Sequence, residues 1–474
     1  MNDVELPNGW ARVTLRDVLH TIEAGKSFTC EPRPAGPEEW GIIKVSAMTW
    51  GQFDESENKA VPIGRAVDPA HEIHPGDVLI SRANTREYVG APVLVGRCRS
   101  RLLLSDKSLR LVPTHRVSKK WLTYLLSSPK VRQFISKTAT GTKDSMRNIS
   151  QHALLGISFM LPPLAEQHRI VEALEGHLSR LDAAEQELET ARKKIASFRK
   201  SILLSLVPES APTSWEISTV GDAGTVGLGR QRHPDWHSGP EMHPYLRVAN
   251  VFEDRIDTSD VMEMDFSGVF DRYRLEPGDV LLNEGQSPHL VGRPALYRGT
   301  PPNVAFTNSL LRFQARPDVL PEWALLVFRR HLHARRFMRE VRITTNIAHL
   351  SVKRLKPVEF PIPSLEEQKR RVQSCDELMS YADAMEQALK RNRVRAKHLR
   401  SAVLERAFTG RLIPQDPADE PVFLDRILAE RVAQGNKPKR ATRRSRKAGT
   451  SHAPPPPALS TSPPTTAVQQ ELPL

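Results

Sequence analysis

The sequence predicts an α+β fold: two similar mixed α/β domains joined by two long antiparallel coiled-coil helices, with a pseudo-twofold internal repeat. Three observations predict it. The first is duplication. Leu161-Pro-Pro-Leu-Ala-Glu-Gln167 returns 201 positions later as Ile362-Pro-Ser-Leu-Glu-Glu-Gln368, Trp121 returns as Trp323, and Pro75-Gly-Asp-Val-Leu79 as Pro277-Gly-Asp-Val-Leu281. A period this long is far outside the roughly 20–50 residues of solenoids, so the repeat marks two similar domains. The second is that each copy begins as short apolar runs punctuated by Gly and Pro, a β-rich pattern. The third is that each copy closes on a long helical stretch with apolar residues at alternating spacings of three and four, the seam of a coiled coil.

Residues 1–160 form the first domain. Ile42–Val45, Val78–Ile80, Pro92–Val95 and Leu109–Val112 read as strands, and Pro75-Gly76-Asp77 as a tight turn in which Pro fixes φ and Gly permits φ > 0. Trp121 to Ser136 has helical spacing. The prolines at 162 and 163 force an extended approach, and a helix then fills 161–208, running to about Leu206. Its expected seam is Leu174, His177, Leu181, Ala184, Leu188, Ala191, Ile195, Phe198 and Ile202. Residues 209–361 repeat the β-rich domain and 362–410 the helix, with Cys375, Leu378, Ala382, Met385, Leu389, Ala396, Leu399 and Val403 in the same phase and Gly410 as the stop. Two matching seams in one chain pair most simply with each other, and the domain between them must reverse the chain, so the pair should be antiparallel. A short helix is expected within 411–434, from about Pro421 to Val432, and a disordered basic, Pro-rich tail over 435–474.

The 474 residues carry a net charge of +13 and a pI near 9.7, which favours a polyanionic partner, nucleic acid first. No run of 18 apolar residues suggests a membrane span, and the polar start MNDVELPNGW does not read as a signal peptide. Cys30, Cys98 and Cys375 are scattered, without disulfide or zinc spacing, as in a reduced cytoplasmic protein.

No catalytic motif stands out. Gly227-Leu-Gly229 lacks the third Gly of a dinucleotide loop, Ala139-Thr-Gly-Thr-Lys143 lacks the first Gly of a phosphate loop, and His331 and His333 lie on different helix faces. Neither a catalytic residue nor a metal site is expected. Polar loops are the better candidates. After the first Pro-Gly-Asp strand comes a loop with Arg82, Asn84 and Arg86, ending at Val89-Gly90; after the second comes one with Asn283, Glu284, Gln286 and His289, ending at Val291-Gly292. The frame matches and the tips differ, which suits two different base readers: Arg for guanine, Asn and Gln for adenine, Glu for cytosine. The same residues would also suit solvated hairpins. A second pair of loops carries Lys143, Arg147 and Asn148 in one copy, Arg342 and Asn346 in the other. A third carries Lys26 beside Ser27, matched by Arg230, Gln231 and Arg232.

The doubled order of Leu6-Pro-Asn-Gly-Trp10, the Pro-Gly-Asp-Val-Leu strands, the Leu-Pro-Pro-Leu-Ala-Glu-Gln helix start, and the closing Leu399-Arg-Ser-Ala-Val-Leu404 and Ala407-Phe-Thr-Gly410 resembles the specificity subunits of type I restriction–modification systems, over roughly residues 5–434. The resemblance implies two target-recognition domains, each reading half of a bipartite, asymmetric double-stranded DNA sequence. It implies helices that set the spacing and dock two methyltransferase subunits, which bind S-adenosylmethionine, and restriction subunits that cleave with ATP and Mg. This chain would be a non-catalytic subunit holding none of these cofactors. Two strings depart from the pattern: Ile362-Pro-Ser-Leu lacks the second proline, and Ala211-Pro-Thr-Ser-Trp215 lacks the Gly. A subunit of a related restriction or methylation enzyme fits the same residues. A coiled-coil scaffold with two protein-binding domains would instead predict apolar or aromatic loop tips.

Overall fold

The structure, a computed structural model, describes residues 6–27, 29–49, 51–141, 144, 146–344 and 347–433. Lys143, Asn346 and the expected tail at 435–474 lie outside the described residues. The chain divides into a unit ending at Val422 and another beginning at Phe423. In the latter the short helix spans Leu424–Ala433.

The repeat is a repeat of topology. In the first copy the strands Leu19–Ala24, Ser108–Pro113, Val78–Ser81 and Pro92–Leu94 form one antiparallel sheet in that order. In the second, Gly224–Leu228, Leu310–Ala315, Val280–Asn283 and Pro294–Leu296 do the same. Each copy adds a three-stranded sheet with one antiparallel and one parallel pairing, centred on Gly41–Ile43 or Met242–Leu246. Each is also closed by its first and last strands, Ala11–Thr14 with Ser158–Leu161 and Glu216–Thr219 with Glu359–Ile362.

The Pro-Gly-Asp strings make the expected turns. Gly76 and Gly278 have φ of +87° and +103°, a region that L side chains avoid. The aspartates close the turns: Asp77 accepts from the His74 N–H at 2.9 Å and Asp279 from the Glu276 N–H at 3.0 Å. Each also faces an arginine from the neighbouring strand, Arg110 at 3.0 Å and Arg312 at 3.6 Å.

The single helix expected over 121–136 is two, Lys119–Ser127 and Pro129–Thr138. Pro129 cannot continue the first, since it lacks an N–H to bond back, and instead starts the second. The strand expected at 42–45 ends at Ile43 and gives way to a 3-10 turn from Val45.

The two long helices span Leu164–Leu206 and Leu365–Ala407. They pack on each other and run antiparallel: Arg199 reaches Asp383 and Glu386, at 2.5 and 3.1 Å, while Arg400 reaches back to Asp182. The expected seam is half right. Every seventh position faces the partner: Leu174, Ile195, Ile202, Cys375, Ala382 and Ala396 are buried, and Leu181, Leu188, Leu389 and Val403 half-buried. The alternate row, with His177, Ala184, Phe198, Leu378, Met385 and Leu399, is exposed. In the second helix the inward row carries the small Ala382 and Ala396; in the first it carries leucine and isoleucine, and the small residues Ala184 and half-buried Ala191 lie in the other row.

The repeated glutamines hold each long helix to its copy. Gln167 is fully buried; its Nε2 donates to the carbonyls of Arg116 at 3.0 Å and Pro162 at 2.9 Å, and its Oε1 accepts from the Ser118 N–H at 2.8 Å. Gln368 repeats this with Asp318, Pro363 and Leu320 at 2.9, 2.9 and 2.8 Å. Gln167→Ala and Gln368→Ala should each cost about 2–4 kcal/mol, because three main-chain groups lose their partner away from water. The two clamps share no partner, so their effects should add. Denaturant unfolding of the two single variants and the double variant checks this.

Candidate nucleic-acid interface

The first and second pairs of loops meet as β-ladders. Asn84 pairs with Arg147 and Ala83 with Asn148; Gln286 pairs with Ala348 and Gly285 with His349. The frame matches bond for bond. Gly90 and Gly292 donate to the carbonyls of Ser81 and Asn283 at 2.6 and 2.9 Å, and Arg82 and Glu284 accept from the N–H groups of Ile149 and Leu350 at 3.0 and 2.8 Å. Arg82 and Glu284 also donate, at 2.8 and 2.9 Å, to the carbonyls of Lys107 and Ser309. The third pair joins at the same turn. Gly25 and Gly229 pass so near it that a Cβ would lie 2.2 and 2.3 Å from the carbonyl oxygens of Leu104 and Thr307. Glycine is therefore required, and Lys26 and Arg230 follow it.

The turn itself, Ser105-Asp-Lys-Ser108 and Thr307-Asn-Ser-Leu310, is the hub that sequence reasoning missed. Its signal was available: a polar group of three or four residues directly before the matched strands Leu109-Arg-Leu and Leu311-Arg-Phe. His349 was missed too. Its Nδ1 lies 3.2 Å from Glu284 Oε2 across the ladder.

The side chains divide into those turned to solvent and those already engaged. In the first copy Arg82, Arg86 and Asn148 are exposed. Among the described residues the Arg82 and Arg86 guanidinium groups have no partner. Asn84 is half-buried and its Oδ1 accepts from the Thr85 N–H at 2.8 Å, as Gln286 Oε1 accepts from the Ser287 N–H at 3.0 Å. Lys26 is exposed, 3.8 Å from Asp68. In the second copy Gln231, Arg232, His289 and Arg342 are exposed.

Three candidates are engaged within the fold. Arg147 donates to the carbonyls of Gly141 at 2.8 Å and Ala139 at 2.7 Å, so its charge tethers its own loop. Arg230 donates to the Asp265 carbonyl and lies 4.0 Å over the Trp236 ring, held by packing rather than offered to a ligand. Asn283 is fully buried, and among the described residues neither polar atom of its amide has a hydrogen-bond partner. It occupies the place of Ser81, which is also fully buried, beneath the loop rather than at its tip.

His331 is buried against the Glu359 carbonyl at 2.9 Å, and burial pushes its imidazole down to about 4. Among the described residues no group of three or more His, Cys, Asp or Glu could hold a metal ion, and no helix is long and apolar enough to cross a membrane.

No protein-family model matches the chain. It is 24% identical over 466 residues to the type I restriction enzyme EcoKI specificity subunit of Escherichia coli (strain K12), which covers 92% of this chain and 98% of that protein. The chain is a homologue of the type I restriction enzyme specificity subunits. The StySPI specificity subunit of Salmonella potsdam gives the same 24% identity and the same coverage. The EcoEI subunit of Escherichia coli is 31% identical over 191 residues, 40% of this chain but 32% of that protein. Two solved structures share the fold at 20% identity and cover 86% of this chain. One is the HsdS subunit from Thermoanaerobacter tengcongensis, with a TM-score of 0.52; the other comes from work on complex assembly and conformational transition of the type I R-M system, with a TM-score of 0.65.

The division of side chains has a direct test. Arg147→Ala should lower stability by about 1.5–3 kcal/mol, the range for a hydrogen-bonded charged group. Arg82→Ala and Arg86→Ala should stay within about 0.5 kcal/mol of the parent and act on nucleic-acid binding alone. Thermal unfolding beside a binding assay separates the two classes.

Proposed function

We propose that this chain is the DNA sequence-recognition subunit of a type I restriction–modification complex, each copy reading one half of a bipartite, asymmetric site. The observation that carries the reading is the pair of matched loop frames with different tips. Arg82 stands where the second copy has Glu284, and Asn84 where it has Gln286, on backbones with the same hydrogen bonds. Base readers need such a constant scaffold with variable donors and acceptors, and a net charge of +13 suits the phosphate backbone. Because the copies differ, the half-sites differ.

In this reading the helices space the half-sites and dock two methyltransferase subunits. The outward apolar row supports docking: Phe198, Leu378, Tyr381, Met385 and Leu399 are exposed large hydrophobics on a pair of helices already packed together, a surface of the kind that marks a protein interface. The chain itself would be non-catalytic and cytoplasmic. S-adenosylmethionine would belong to the methyltransferase partners, and ATP and Mg to the cleavage step of the restriction subunits.

Lengthening both helices by one heptad keeps the facing row in phase and should part the two copies by about 10 Å, at about 1.5 Å per residue. That equals about three base pairs at about 3.4 Å each. Three base pairs also turn the duplex by about 100°, so affinity should fall while the preferred spacer lengthens and both half-sites keep their bases. Selection of bound duplexes from a library with variable spacers reads the result; an unchanged spacer would assign the distance to the partners instead.

A further inference from the structure

Met146 and Ile347 occupy the same position in the two copies, one residue before the ladder partners Arg147 and Ala348. Side chains alternate along a strand. Ala348 is fully buried in the core of its copy, and Arg147 turns to the carbonyls of Ala139 and Gly141. The preceding residues therefore face the other way, and they are exposed, Met146 at 43% and Ile347 at 49%. A Cβ on Gly285 would lie 3.9 Å from Ile347 Cγ2, so that side chain stands over the neighbouring strand's backbone.

Several of the charged and polar residues on these loops diverge between the copies: Arg82 becomes Glu284, Arg86 becomes Pro288, Asn148 becomes His349. The large apolar character at this one point does not. Divergence suits a task that depends on the bases, and constancy suits one that does not. We propose that Met146 and Ile347 are wedge residues, each entering a base step in its own half-site and partly unstacking it. Met and Ile belong to the small set of apolar side chains that wedge between base pairs and kink a duplex. Ile347 is stiffened by its β-branch. Exposed Arg86 in the first copy, and exposed Arg342 on the strand paired with Ile347 in the second, supply charge for nearby phosphates. The inference rests on the DNA-reading function proposed above.

The test uses the full chain assembled with its methyltransferase subunits and its selected target, with 2-aminopurine placed in turn at each purine other than the methylated base. Binding should raise the fluorescence several-fold at one step in each half-site. Met146→Ser should abolish the rise in one half and Ile347→Ser in the other, while Met146→Leu keeps it. Specific binding with no rise overturns the wedge, as does a rise that survives both serine variants. Loss of affinity on replacing thymine by uracil, without any rise, would make these side chains methyl readers and overturn it too. If no duplex is bound specifically, the DNA-reading function falls with it.

Discussion

Everything in this structure hangs from two buried amides. A helix of 43 residues joined to a β-rich body through prolines could leave it at many angles. Gln167 and Gln368 remove that freedom, because each side chain bonds both its own helix start and the segment before the helix at Lys119 or Pro321. A glutamine offers two donors and an acceptor on one rigid plane. No apolar residue could satisfy three main-chain groups at a fully buried site, and a charged one would not be stable there. The glutamine is thus the part of the repeated string that the fold cannot exchange. The residue before it shows the contrast: Glu166 is buried against Trp10 at 2.9 Å, with burial pushing its carboxyl up, while Glu367 pairs with Arg371.

Each copy is then gripped twice, by the start of one long helix and the end of the other. The first copy holds Gln167 and receives Phe408, whose ring meets Trp121 at 5.6 Å. The second holds Gln368 and receives Val207, whose carbonyl accepts from Arg330 at 3.2 Å. Two helices that each begin on one copy and end on the other must run antiparallel. Exposed ion pairs such as Arg400 with Asp182 add little energy, so the direction is set at the ends. The segment after the second helix completes the circuit, with Val422 donating to the Gly9 carbonyl at 2.9 Å and Arg169 bonding Asp419 at 3.1 Å.

The legible part of this molecule was what repetition and punctuation encode. The long helices, the Pro-Gly-Asp turns and the matched loops could be read because proline, glycine and heptad spacing act locally. The inward row of the helices could not. Both apolar rows obey the same spacing, and small residues do not separate them: Ala382 and Ala396 lie in the inward row of one helix, Ala184 and Ala191 in the other row of its partner. The engagements of the loop side chains could not be read either. Arginine is the natural base and phosphate reader, yet Arg147 bonds carbonyls of its own loop and Arg230 one from the strand that ends at Asp265. Asn283 looked like a tip residue because the strand before it has no visible end; its place below the loop is fixed by the Gly292 bond to its carbonyl.

The separation of frame from tip explains how one architecture can carry two unlike surfaces. The bonds that position each loop run between main-chain atoms: Ser81 with Gly90, Arg82 with Lys107 and Ile149, and their counterparts in the second copy. Main-chain bonds do not depend on which side chain is present, so Arg82 and Glu284 can differ in charge without altering the geometry that presents them. The residues whose identity the frame does need include Gly25 and Gly229 at the close approach, the aspartates of the turns, and the hydroxyls of Ser108 and Ser309 that bond the backbone at the shared turn. A tip exchange therefore costs the scaffold little, while a change at any of those few positions moves every loop that meets at the shared turn.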